Sequence, residues 1–166
     1  MDYDKKCDGS LELEKAISKD ENLRSLLSSI NRSKFRVWAL TNAYKTHAER
    51  VLNILGVRDQ FEGIVYCDYT RHKFPCKPEK EFYFEAMEKV GLRNSPSYHY
   101  FVDDSSQNVI SAQEIGWNAV YYLESNQENV KGQDDENKRR NLHSNVKPII
   151  GNLYELKEVW RECFNE

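Results

Sequence analysis

From residue 35 onward, short runs of β-branched and aromatic residues alternate with stretches whose apolar residues recur at helical spacing. That alternation is the pattern of a parallel sheet covered by crossover helices. Phe35 to Leu40 reads as the first strand. Thr46 to Leu55 reads as a helix with Ala48, Val51, Leu52 and Leu55 on one face, and Gly56 sits where a C-cap requires positive φ. Gly63 to Tyr66 is a second strand, and Pro78 is placed to open the next helix, whose stripe is Phe82, Ala86, Met87 and Val90, closed by Gly91. Tyr98 to Val102, a helix over 106–115 stopped by Gly116, and Trp117 to Leu123 complete the alternation.

Beyond it the chain changes character. Residues 124–145 are polar, carry Asp134-Asp135-Glu136 beside Lys138-Arg139-Arg140, and read as a loop. Val146 to Ile150 reads as a last short strand, and Leu153, Leu156, Val159 and Trp160 mark a closing amphipathic helix. Ahead of the first strand, Leu11 to Ile17 and Leu23 to Ile30 are helical fragments with no β-rich run before them.

A chain of 166 residues suits a single core. With 39% hydrophobic and 31% charged residues it has the balance of a folded domain. The net charge of -3 argues against a dedicated nucleic-acid binder. No apolar run approaches a membrane span, and Met1 to Ser10 is too polar and acidic for a leader, so a cytoplasmic, possibly nuclear, location is the default expectation. The four cysteines, Cys7, Cys67, Cys76 and Cys163, form no C-x-x-C pair and read as free thiols.

Three polar clusters fall at the C-terminal ends of expected strands, where open parallel sheets place their ligands. In Leu40-Thr41-Asn42-Ala43, a hydroxyl and a following N–H can hold a phosphate oxygen at a helix start, although the same residues can simply cap that helix. In Cys76-Lys77-Pro78, Lys77 can neutralise charge on a phosphoryl group or restrain an acid, or can be a solvated turn lysine. In Phe101-Val102-Asp103-Asp104-Ser105, two adjacent carboxylates repel unless a cation relieves them, and suit Mg²⁺, although Asp104 or Ser105 can also serve as an N-cap.

Taken in order, these clusters resemble motifs II, III and IV of the haloacid dehalogenase-like (HAD) superfamily. Leu40 to Ala48, Phe61-Glu62-Gly63, Tyr66-Cys67-Asp68-Tyr69 and Cys76-Lys77-Pro78 are similar to its fungal pyrimidine 5′-nucleotidase branch over residues 8–123. The resemblance implies an α/β fold, a Rossmannoid three-layer α/β/α core with a parallel sheet. It implies a phosphomonoester substrate, in this branch a nucleoside monophosphate, with Mg²⁺ as cofactor. By it, Thr41, Asn42 and Lys77 bind phosphate, Lys77 also serves catalysis, and Asp103 and Asp104 hold the metal. Asn108 stands where many members have a further acid. Residues 1–30 then correspond to a remnant of the helical cap and its connection, and 31–166 to the core.

The family's nucleophile, an aspartate of an Asp-x-Asp motif on the first, central strand, has no counterpart here. Asp2 and Asp4 have the spacing but no preceding apolar strand. The chain is therefore expected to lack that strand, which lies in the family between those ending at Leu40 and Val102, and to show a gap or a different pairing there. On its own it should be a very poor phosphatase. The alternative is a non-catalytic HAD-like protein that retains phosphate and metal positions for binding. A receiver-like signalling domain fits less well, because receivers carry their acidic pair early in the chain. The phosphate-binding reading expects Thr41, Lys77 and Asp104 to converge on one cleft.

Overall fold

The computed structural model describes residues 12–123 and 146–165. Its helices are α1 (Leu13–Ala16), α2 (Glu21–Ser28), α3 (Lys45–Ile54), α4 (Lys80–Lys89), α5 (Ser106–Glu114) and α6 (Leu156–Val159). Its strands are β1 (Trp38–Thr41), β2 (Gly63–Tyr66), β3 (Tyr100–Asp103), β4 (Asn118–Tyr122) and β5 (Ile149–Ile150). All described strand pairing is parallel, in two separate sheets of order β1-β2 and β3-β4-β5. Among the described residues neither β1 nor β2 pairs with β3, β4 or β5. The α/β alternation expected from the sequence is present.

The chain divides into two compact units, Met1–Cys76 with Glu162–Glu166, and Lys77–Arg161. In the first, Asp20 caps α2 by accepting the Leu23 N–H at 2.8 Å, satisfying one of the donors that a helix start leaves open. Arg24 joins α2 to the segment after α3 through paired bonds to Asp59 (2.6 and 2.7 Å) and one to the Gly56 carbonyl (2.5 Å). The strand β1 runs beside β2 with Trp38 opposite Gly63, and the absence of a side chain at Gly63 is required there: a Cβ would lie 2.3 Å from the Trp38 ring. Ala48, Ile64, Val65 and Val57 form the buried centre of this unit. Gly56 ends the α3 turn at φ +72, as its place in the sequence requires.

The second unit is built around Tyr83. Its ring is fully buried and meets Phe101 and Trp117 edge-on, with centroids 5.9 and 5.2 Å away. Such edge-to-face contacts add to the gain from removing large apolar surfaces from water. On β4, Ala119, Val120 and Tyr121 are all buried, which is why its sequence is continuously apolar rather than alternating.

Boundaries shift by a few residues from those expected. The strand β1 starts at Trp38 rather than Phe35, although the Val37 carbonyl already accepts the Glu62 N–H at 2.9 Å. Pro78 does not open α4: Glu79 is its N-cap and the Lys77-Pro78 peptide, which is cis, lies in the preceding turn. The closing helix is only one α-helical turn between two 3₁₀ turns, Leu153–Glu155 and Arg161–Cys163. The loop expected over 124–145 lies outside the described residues. Cys67, Cys76 and Cys163 are free thiols, and burial, helped by the charge of Glu162, pushes the Cys163 thiol up to about 12. Among the described residues, no helix is long and apolar enough to cross a membrane.

Candidate phosphate and metal site

In the second unit, β3 delivers Asp103 at its last residue, and Ser105, two residues later, is the N-cap of α5. Lys77 reaches Asp103, with Nζ 2.6 Å from Oδ2, and both side chains are almost wholly removed from solvent, at 9% and 7% exposure. A buried charge is tolerated only when paired and fully hydrogen-bonded. Here the other carboxylate oxygen, Oδ1, accepts the Ser105 N–H and the Asn108 Nδ2 amide, both at 2.8 Å. Lys77 is therefore not a solvated turn lysine. Its ammonium also stands 5.5 Å from the centre of the Phe101 ring.

The surroundings hold this pair in place. Ser111 Oγ donates to the Pro78 carbonyl at 2.5 Å, tying the Lys77 turn to α5. Tyr83 Oη donates to the Asn108 carbonyl at 2.8 Å, and burial, reinforced by the negative charge of Asp103, pushes its phenol well above the usual range. Tyr83 is thus neutral throughout the physiological range and acts as a fixed donor. Asp104, next in the chain, is exposed. Ser105 Oγ accepts the Asn108 N–H, so the N-cap alternative holds for Ser105 alongside the ion pair.

Asp103 and Asp104 offer hard oxygen donors of the kind Mg²⁺ prefers. A carboxylate has about four lone-pair sites. Asp103 commits three of them to Lys77, Ser105 and Asn108, which leaves it able to serve as a monodentate ligand. Among the described residues, no group of three or more His, Cys, Asp or Glu gathers as a complete cage. Two carboxylates completed by water and phosphate oxygens are compatible with a magnesium site of the substrate-assisted kind.

The first unit contributes the Thr41-Asn42-Ala43 turn. Thr41 Oγ1 accepts the Ala43 N–H at 3.0 Å, and α3 starts at Lys45 with Tyr44 as an N-cap that offers no side-chain bond. The N-cap position of that helix is thus held by Tyr44 and not by Thr41 or Asn42. The Asn42 carbonyl accepts Tyr69 Oη at 2.8 Å, and its side-chain oxygen lies 3.6 Å from Cys67 Sγ. Thr41 and Asn42 belong to one unit and Lys77, Asp103 and Asp104 to the other. Asp2 and Asp4 lie outside the described residues.

Sequence reading missed Tyr83 and Ser111, and left Asn108 without a role. The available signal was weak: Asn108 and Ser111 are polar residues one turn apart beside Val109 and Ala112, and such residues face a core only when a buried polar group needs them.

Residues 2–116 match the family model described as haloacid dehalogenase-like hydrolase. Phosphate metabolism protein 8 of Saccharomyces cerevisiae (strain ATCC 204508 / S288c) is 36% identical over 151 residues, covering 84% of this chain and 47% of that protein. The fold is similar to a HAD phosphatase from Thermococcus onnurineus (TM-score 0.61, 22% identity, 82% of this chain and 55% of that one). It is also similar to the putative HAD-hydrolase YfnB from Bacillus subtilis, whose structure is described as bound to magnesium (TM-score 0.62, 19% identity, 86% and 55%). The chain spans about half the length of the relatives it matches.

Proposed function

The chain belongs to the haloacid dehalogenase-like hydrolases, and from that premise we propose that it serves Mg²⁺-dependent hydrolysis of a phosphate monoester, with a pyrimidine nucleoside monophosphate as substrate. The observation that carries this reading is the buried Lys77–Asp103 pair, braced by Ser105 and Asn108 with the exposed carboxylate of Asp104 beside it. Such an arrangement has little purpose in a surface turn. It is suited to keeping one acid paired and oriented where a transferring phosphoryl group would develop charge. The yeast relative's name, Phosphate metabolism protein 8, agrees with phosphate chemistry. The fine assignment to pyrimidine nucleotides rests on the Leu40 to Ala48, Tyr66 to Tyr69 and Cys76 to Pro78 segments.

Each residue has a separate task. Thr41, through its hydroxyl, and Asn42 bind a phosphate oxygen, and the Ala43 N–H, which donates to Thr41 Oγ1, shapes that turn. Lys77 offsets negative charge and fixes Asp103. Asp103 and Asp104 would hold Mg²⁺, which, when bound, lowers the charge on the phosphoryl oxygens. Asn108 and Ser105 position Asp103. The family reaction begins with attack by an aspartate of an Asp-x-Asp motif that ends an apolar strand; Asp2 and Asp4 have the spacing, but no apolar run stands before them in this sequence. Phosphate release from uridine and cytidine monophosphates should therefore be near background for the 166-residue chain and Mg²⁺-dependent once an upstream strand bearing Asp-x-Asp is appended. Robust hydrolysis by the short chain would refute the nucleophile argument, and none by the extended chain would refute the nucleotidase reading.

A further inference from the structure

The segment from Cys67 to Phe74 follows β2 and is left unused by the chemistry above. Tyr69 stands in it with 51% of its surface exposed, which is unusual for a ring that is held at both ends. Its hydroxyl donates to the Asn42 carbonyl at 2.8 Å, and its flank meets the Phe74 ring edge-on with centroids 4.6 Å apart. The loop beneath it is fixed as well: Thr70 N–H and Oγ1 both donate to Asp68 Oδ1, at 3.1 and 2.6 Å, and these bonds hold the Asp68 carboxyl below its usual range. The Cys67 thiol approaches Asn42 Oδ1. Arg71, His72 and Lys73 come next and are exposed, giving the loop a positive character.

We infer that Tyr69 is a specificity-determining residue whose exposed face stacks on the pyrimidine base of a nucleoside monophosphate bound through the Thr41-Asn42 turn. This rests on the phosphatase reading and deepens it. A phenol tethered to residue 42 keeps a flat aromatic surface one residue from the hydroxyl assigned to phosphate, so a ribose can bridge the two. Because the tether and Phe74 already restrain the ring, little side-chain freedom is lost on stacking. Base–aromatic stacking tolerates either pyrimidine, since each presents a π-face. The charges of Arg71 and Lys73 favour an anionic ligand without selecting a base.

The test is equilibrium binding of uridine monophosphate and of ribose 5-phosphate, which lacks the base, to the full chain with Mg²⁺. Wild type should prefer the nucleotide. Tyr69→Leu, which removes the π-face at an exposed position, should reduce the ratio of the two affinities by roughly tenfold or more. Tyr69→Phe, which keeps the ring and loses only the tether, should retain most of that ratio. A ratio unchanged in Tyr69→Leu, or lowered equally in both variants, would overturn the stacking role while leaving phosphate binding intact. Failure of wild type to bind either ligand would overturn the phosphatase reading, and the stacking role with it.

Discussion

At Asp103 the carboxylate has almost no contact with water, so its stability depends on what touches it. Lys77 supplies the opposing charge, and Ser105 and Asn108 supply the remaining donors. Removing one member of a buried pair leaves an uncompensated charge, which costs about 3–5 kcal/mol. Removing a single amide donor costs less, about 1–3 kcal/mol. Lys77→Met should therefore destabilise the protein more than Asn108→Ala in denaturant unfolding, and equal losses would show that the pair is not the dominant contact. Asp103 stood out in the sequence as a charge ending an apolar strand, and Lys77 as a lysine able to restrain an acid, which is the contact observed. Their bracing was not legible there. Tyr83 looks like one more apolar helix residue until its hydroxyl is seen to reach the Asn108 carbonyl, and that contact joins residues 25 apart in the chain.

At the scale of elements, β2 matches the sequence reading at both ends, and α3, α4 and α5 lie within a residue or two of their apolar stripes. Glycines at positive φ close each of these helices, at Gly56, Gly91 and Gly116, so the punctuation was readable. The start of β3 was not, because the 3₁₀ turn Pro96–Tyr98 takes up Tyr98, a residue as β-prone as the strand itself. That turn also sets up a pH dependence. His99 Nδ1 donates to the Ser95 carbonyl at 3.0 Å, its ring stacks on Trp117 with centroids 4.9 Å apart, and its buried Nε2 has no partner among the described residues. Burial lowers the His99 pKa, outweighing the stabilising carbonyls of Ser95 and Pro96. A histidine whose folded value lies below its unfolded one contributes stability that is fully present above about pH 6.5 and lost as pH falls from there through the folded value. The thermal midpoint should drop between about pH 7.5 and about pH 5, more steeply in wild type than in His99→Gln. Parallel slopes for the two proteins would assign the loss to other groups.

For the whole molecule, the parallel α/β class follows from periodicity alone, whereas the split into β1-β2 and β3-β4-β5 could be expected only through the family resemblance. Periodicity locates strands but does not say which strands neighbour one another. The functional account depends on the carboxylates of the second unit holding a metal that a nucleotide also contacts. Because Asp104 is exposed, Asp104→Asn can be made without disturbing the core. The most direct measurement is therefore a titration of the chain with uridine monophosphate, with and without Mg²⁺, in wild type and in Asp104→Asn. The account predicts that Mg²⁺ tightens binding to wild type and that Asp104→Asn loses this dependence. Nucleotide affinity that is the same with and without Mg²⁺ in wild type would contradict it.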